Sequence, residues 1–199
     1  MGRIKSALEI AMEKTEGVKG DKTSIGLFEA KQRGKLLANQ YLAGKGDTEL
    51  SISGELKKAA GEEQAALKQG CFDVFVSQIT LPGIPEDLKR LETAGKGLAE
   101  VIGGKRFPPL YQQFLAAVSQ YLNEAAQYEE AIKRQYAPKL RQKEEEFARR
   151  FGRQVKIDPF QDPEFVAFYN QNINALKANY EALIGEVQEQ ARAMFNGEV

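Results

Sequence analysis

The stretch EFVAFYNQNINALKANYEALIGEVQEQARAMF, Glu164 to Phe195, decides the fold. In it Val166, Tyr169, Ile173, Leu176, Tyr180, Leu183, Val187, Gln190 and Met194 recur at alternating steps of three and four. That spacing lays one stripe along an α-helix and defines a coiled-coil seam, here with Gln190 as its polar member. A second stretch, Phe107 to Phe151, carries the same alternation through Phe107, Tyr111, Phe114, Val118, Tyr121, Ala125, Tyr128 and Ile132, then steps by fours through Tyr136 and Leu140. Such a stutter locally unwinds a left-handed supercoil. Pro138 lies inside it, lacks an N–H and crowds the carbonyl of residue 134, which predicts a kink or a short break. Phe147 and Phe151 resume the stripe beyond it.

Between the two stretches the signals are those of a turn. Gly152 suits the left-handed conformation that closes a helix, and Asp162-Pro163 supplies an N-cap with proline at the first helical position. With Asp158-Pro159 between them, about ten residues reverse the chain and make the helices antiparallel neighbours. At about 1.5 Å per residue the arms would be roughly 65 Å and 48 Å long. A turn centred near Ile157 would set Phe151 beside Glu164, Ile132 beside Leu183 and Tyr121 beside Met194. The stripe from Phe107 to Val118 would then need another partner.

The first hundred residues read as shorter helices. Ile4, Leu8, Ala11 and Met12 form an apolar face that should end near Gly17, followed by a turn from Val18 to Thr23. Ser24 would cap a helix to Ala43 with Leu27, Phe28, Leu37, Tyr41 and Leu42 inward, and Gly44 to Asp47 would be the next turn. A third helix is expected from Thr48 to Gly70 through Ile52, Leu56, Ala59, Ala60, Ala66 and Leu67. Cys71 to Leu81 fits both strand alternation and a helical face; having no second strand to pair with, it is assigned to helix. Pro82-Gly83-Ile84-Pro85 stops it, and a fourth helix with Leu88, Leu91, Leu98 and Ile102 inward runs to Gly103-Gly104. The expected architecture is all-α and a single unit, with a helical body over 1–120 and a projecting antiparallel hairpin over 121–199 whose turn lies near 152–162.

The residue inventory excludes several chemistries. Histidine is absent, which removes the usual general base at neutral pH, the Ser-His-Asp arrangement and the Glu-x-x-His set of di-iron bundles. Cys71 is the single cysteine, so neither an intrachain disulfide nor a thiolate zinc cluster can form. The stretches Gly17 to Ser24 and Gly103 to Arg106 do not match the phosphate-loop pattern and read as glycine turns with solvated lysines. Paired carboxylates such as Glu62-Glu63 and Glu144-Glu145-Glu146 diverge around a helix and read as a charged face. No catalytic residue, cofactor or metal ligand is expected. The amino terminus is too charged for a signal peptide and no apolar run is long enough to span a membrane, so the expectation is a soluble, cytoplasmic protein. Met1-Gly2 with Ser6 matches an acylation pattern only loosely.

Lysine and arginine balance aspartate and glutamate over the chain, so any electrostatic argument is local. Lys133, Arg134, Lys139, Arg141, Lys143, Arg149, Arg150, Arg153 and Lys156 cluster toward the hairpin turn, while the second arm is acidic. Those nine residues form the candidate docking surface. The reading is a non-enzymatic scaffold, adaptor or chaperone-like module that binds protein, including a second copy of itself as a homo-oligomer. Two alternatives stand beside it: nucleic-acid binding through phosphates at the basic turn, and a ligand or substrate in a tyrosine-lined cleft between helices.

Overall fold

A computed structural model of the chain describes residues 7 to 44 and 51 to 198. The acylation pattern, the first-helix face of Ile4, Leu8, Ala11 and Met12, and the turn at Lys45 to Asp47 lie outside what it describes. The described residues are helical, without a strand, as expected: α1 (Ala7–Leu42), α2 (Ile52–Leu56), α3 (Gly61–Val76), α4 (Asp87–Ile102), α5 (Phe107–Phe151) and α6 (Pro163–Asn196), with a 3₁₀ turn at Pro159–Gln161. They form two compact units. One takes the described residues of Met1–Ile79, Arg90–Pro108 and Ala193–Val199, the other Thr80–Lys89 and Pro109–Arg192.

In the first unit α1 packs against α3. The turn expected at Val18 to Thr23, and the cap at Ser24, are absent: α1 is one helix across them. Interior glycines cost only about 1 kcal/mol each against alanine, and no proline interrupts this stretch. Ala30, Gly34 and Ala38 are the buried stripe of α1. At this crossing the backbones approach so closely that a Cβ on Gly34 would stand 2.1 Å from the Leu67 carbonyl oxygen, and one on Gly70 would stand 2.1 Å from that of Lys31. A seam so narrow has no space for an aromatic ring. Phe28, expected inward, is instead 63% exposed.

The helix expected from Thr48 to Gly70 is divided. Gly61 takes φ +57°, which an α-helix interior does not allow, so α2 ends and α3 begins anew. Ser51 caps α2 by accepting from the Gly54 N–H at 3.2 Å, and the Glu100 carboxylate accepts from the Ser53 N–H at 2.9 Å. Helix α3 then runs through Cys71 to Val76, so the helical assignment holds there and lapses from Ser77. Phe75 is fully buried, with its ring against Gly97 and edge-on to Tyr41.

In the second unit α5 runs unbroken through Pro138, where a kink or break was expected. The proline is exposed and its neighbours Tyr136 and Leu140 are buried, so packing on both sides offsets the lost hydrogen bond. The arms are antiparallel, in a register different from the one expected. Tyr121 packs on Tyr180, not Met194, with ring centroids 5.1 Å apart, and Tyr136 meets Phe165 at 5.3 Å. Of the expected seam on α6, Ile173 and Val187 are buried, but Phe165, Ile184 and Ala191 are the other inward positions and Gln190 is exposed. The buried Ile173 and Ile184 stand eleven residues apart, a period of about 3.67 per turn that departs from the seven-residue repeat. On α5 the same drift carries Tyr128 off the seam, and it is 49% exposed.

Candidate functional site

The basic residues singled out in the sequence occupy the last turns of α5 and the connector to α6. Their setting is built on a small apolar cluster of Ile132, Tyr136, Leu140 and Phe165, against which Ile157, Phe168 and Tyr169 pack. Phe160 closes it with its ring edge-on to Phe165 and Tyr169, each at 5.3 Å. Gly152, at φ +66°, ends α5 and turns the chain back. The returning segment is held where the Ile157 N–H donates to Glu144 Oε1 at 2.8 Å.

Asp162 starts α6. Its Oδ1 accepts from the Glu164 N–H at 3.1 Å, and it is buried. Lys143 Nζ reaches both Asp162 oxygens, at 2.9 and 2.8 Å, and Glu164 Oε2 at 2.9 Å. Lys139 Nζ also meets Glu164 Oε2 at 2.9 Å, and the Tyr136 hydroxyl lies 3.3 Å from both carboxylates. Hydrogen bonds from Lys139 and Lys143 hold the Glu164 carboxyl down to about 2, and the bond from Lys143 holds Asp162 below its usual range. The same bonds raise both lysines. Lys133 is likewise engaged, with Glu129 at 2.6 Å and over the Phe160 ring at 5.5 Å. Three of the nine basic residues therefore serve the hairpin's own carboxylates.

The other six face outward. Arg149 has only a 4.0 Å approach to Glu145, and both side chains are well exposed. Arg150 lies 6.0 Å over the Phe151 ring. Arg134, Arg141, Arg153 and Lys156 are exposed, with no carboxylate within ion-pair distance among the described residues. Beside them stand apolar side chains that the sequence reading placed on the seam or passed over. Phe147 and Phe151 lie tilted against each other with ring centroids 4.5 Å apart, yet are 41% and 58% exposed, and Val155 is 44% exposed. Because α6 begins opposite Lys143, it does not reach the last two turns of α5. A groove of about 440 Å³ lies between those turns and the returning segment, bordered by Arg141, Glu145, Ala148, Val155 and Lys156. The turn thus offers cationic guanidinium groups beside exposed phenyl rings.

Two of the seam tyrosines have their hydroxyls engaged within the hairpin. The Tyr180 hydroxyl donates to Glu124 at 2.9 Å, and Tyr136 is committed to the Asp162 and Glu164 carboxylates. Among the described residues no group of acidic or cysteine side chains is placed to hold a metal ion, and no helix is long and apolar enough to cross a membrane.

Residues 53–193 match the model of a protein family described as "Family of unknown function (DUF6657)". No curated protein and no solved structure matches the chain.

Proposed function

The chain belongs to the DUF6657 family, and for it we propose a non-enzymatic, protein-binding role as a cytoplasmic scaffold or adaptor that docks an acidic, amphipathic partner segment at the turn between α5 and α6. One observation carries this reading: the outward Arg150 guanidinium lies over the exposed ring of Phe151, which in turn packs against the exposed ring of Phe147. Guanidinium groups pair with carboxylates in a planar fork, and aromatic rings with arginines are the residues that dominate binding energy at protein interfaces. A purely electrostatic phosphate surface has less support, since Lys133, Lys139 and Lys143 are already neutralised by carboxylates.

The test is partner capture from native extract, with and without nuclease. Wild type is compared with a Phe147→Ser/Phe151→Ser variant and an Arg141→Glu/Arg150→Glu/Arg153→Glu variant. The expected result is a nuclease-resistant protein partner lost from both variants, released by salt and competed by a peptide mixing leucine with glutamate. Retention by either variant rejects the surface, and loss on nuclease treatment replaces the protein partner with nucleic acid.

A further inference from the structure

The outer face of α1 carries a second surface, independent of the hairpin. Its inner face is spent on the small-residue crossing with α3, yet Ile25, Phe28 and Leu36 point the other way and are 56%, 63% and 63% exposed. With Gln32 between them they follow helical spacing along one stripe. Beside the stripe runs a groove of about 850 Å³ bordered by Phe28, Glu29, Gln32, Arg33, Leu36 and Glu63.

We propose that this face binds a second copy of the chain, with the two α1 helices antiparallel about a two-fold axis at Gln32. The residues are self-complementary in that arrangement alone of the two directions. Phe28 of one copy meets Leu36 of the other, twice, and the two Gln32 side chains meet as a polar layer that fixes register. Glu29 and Arg33 lie on the same edge of the stripe, on either side of the axis. Antiparallel helices bring like edges together, so each Glu29 faces the Arg33 of the other copy. Glu29 is exposed, while Arg33 already contacts Glu63 at the groove edge and can bridge both carboxylates with its forked donors. A parallel pair would set Phe28 on Phe28 and leave these charges on opposite edges.

Sedimentation equilibrium of the full chain tests this, with circular dichroism confirming that each variant folds. Wild type is expected to dimerise, and Phe28→Glu or Leu36→Glu to weaken the dimer at least ~10-fold. Glu29→Arg and Arg33→Glu should each weaken it alone, since each sets like charges together. An equimolar mixture of those two variants should recover the dimer as a heterodimer, because both cross-pairs are then opposite in sign. A wild-type monomer, a dimer indifferent to Phe28→Glu, or a mixture that recovers nothing would each overturn the proposal. None of these outcomes bears on capture at the hairpin turn, whose variants leave α1 untouched.

Discussion

Lys143 Nζ sits 2.9 Å and 2.8 Å from the two oxygens of Asp162, and this pair sets where α6 begins along α5. Asp162 is at once the cap of α6 and the acceptor for Lys143, so the capping geometry and the interhelical register are fixed by one carboxylate. Helix α6 does not reach past Lys143 along α5, and Phe147 and Phe151 beyond that point are exposed.

Replacing that carboxylate should loosen the turn end of the hairpin. Asp162→Ala removes the cap and leaves Lys143 and Tyr136 without their acceptor, at an expected cost of about 2–3 kcal/mol, since Lys143 is partly solvated. Asp162→Asn keeps an acceptor for the Glu164 N–H and should cost less. Denaturant midpoints of the two variants check the order.

The same cluster makes the hairpin sensitive to acid. Asp162 and Glu164 have folded values below their unfolded ones of about 4, so they bind fewer protons when folded. Their contribution is present above about pH 4.5 and is lost as pH falls toward 2. Amide protection factors in the first turns of α6, corrected for the pH dependence of intrinsic exchange, should fall over that window in wild type and change less in Asp162→Asn. Lys139 and Lys143 are shifted upward and stay protonated throughout it, so the carboxylates alone set the window.

Gly34→Ala and Gly70→Ala should each destabilise the first unit, although alanine is the better helix former by about 1 kcal/mol. The added methyl would meet a backbone carbonyl at 2.1 Å, and backbone cannot rotate aside as a side chain can. The expected net loss is about 2–3 kcal/mol or more in a denaturant titration. A midpoint unchanged or raised would show that α1 and α3 part more easily than their packing implies.

Phe147→Ser and Phe151→Ser should shift stability by no more than about 0.5 kcal/mol, against roughly 3–5 kcal/mol for truncating a core phenylalanine. Binding of a hydrophobic dye to the native protein should fall in both.

Cys71 should resist thiol reagents until the protein unfolds. Burial pushes its thiol up to about 12, and its Sγ lies 3.2 Å from the Gly34 carbonyl oxygen in the seam between α1 and α3. Labelling at pH 8 is expected to be at least ~100-fold slower in the native state than in denaturant.

Much of this was readable in the sequence, and the failures share a cause. The helical identity of α4, α5 and α6, the left-handed Gly152 and the Asp162-Pro163 start followed from local chemistry and hold in the structure. The errors concerned which residue meets which. Counting from the middle of the connector set Tyr121 opposite Met194, but the connector doubles back along α5 and Tyr121 faces Tyr180. Phe28 was assigned inward because it is large and apolar, whereas α1 buries alanine and glycine. The spacing of Ala30, Gly34 and Ala38 carried that signal, and it becomes legible once close backbone approach is considered. For the candidate site, the basic cluster was visible as a list of residues. Its division into three lysines consumed by the hairpin and five arginines and Lys156 left outward was not, because it depends on carboxylates up to twenty-five residues away.

What the sequence determined by itself is what a helix needs over one or two turns: periodicity, caps, glycine and proline positions, and the chemistry that a chain without histidine cannot perform. Only the tertiary structure decided the register of α5 on α6, the face that α1 buries, and the exposure of Phe147, Phe151 and Phe28. Those depend on contacts between distant segments, where a shift of one helical turn keeps every local preference satisfied yet exchanges the residues that meet.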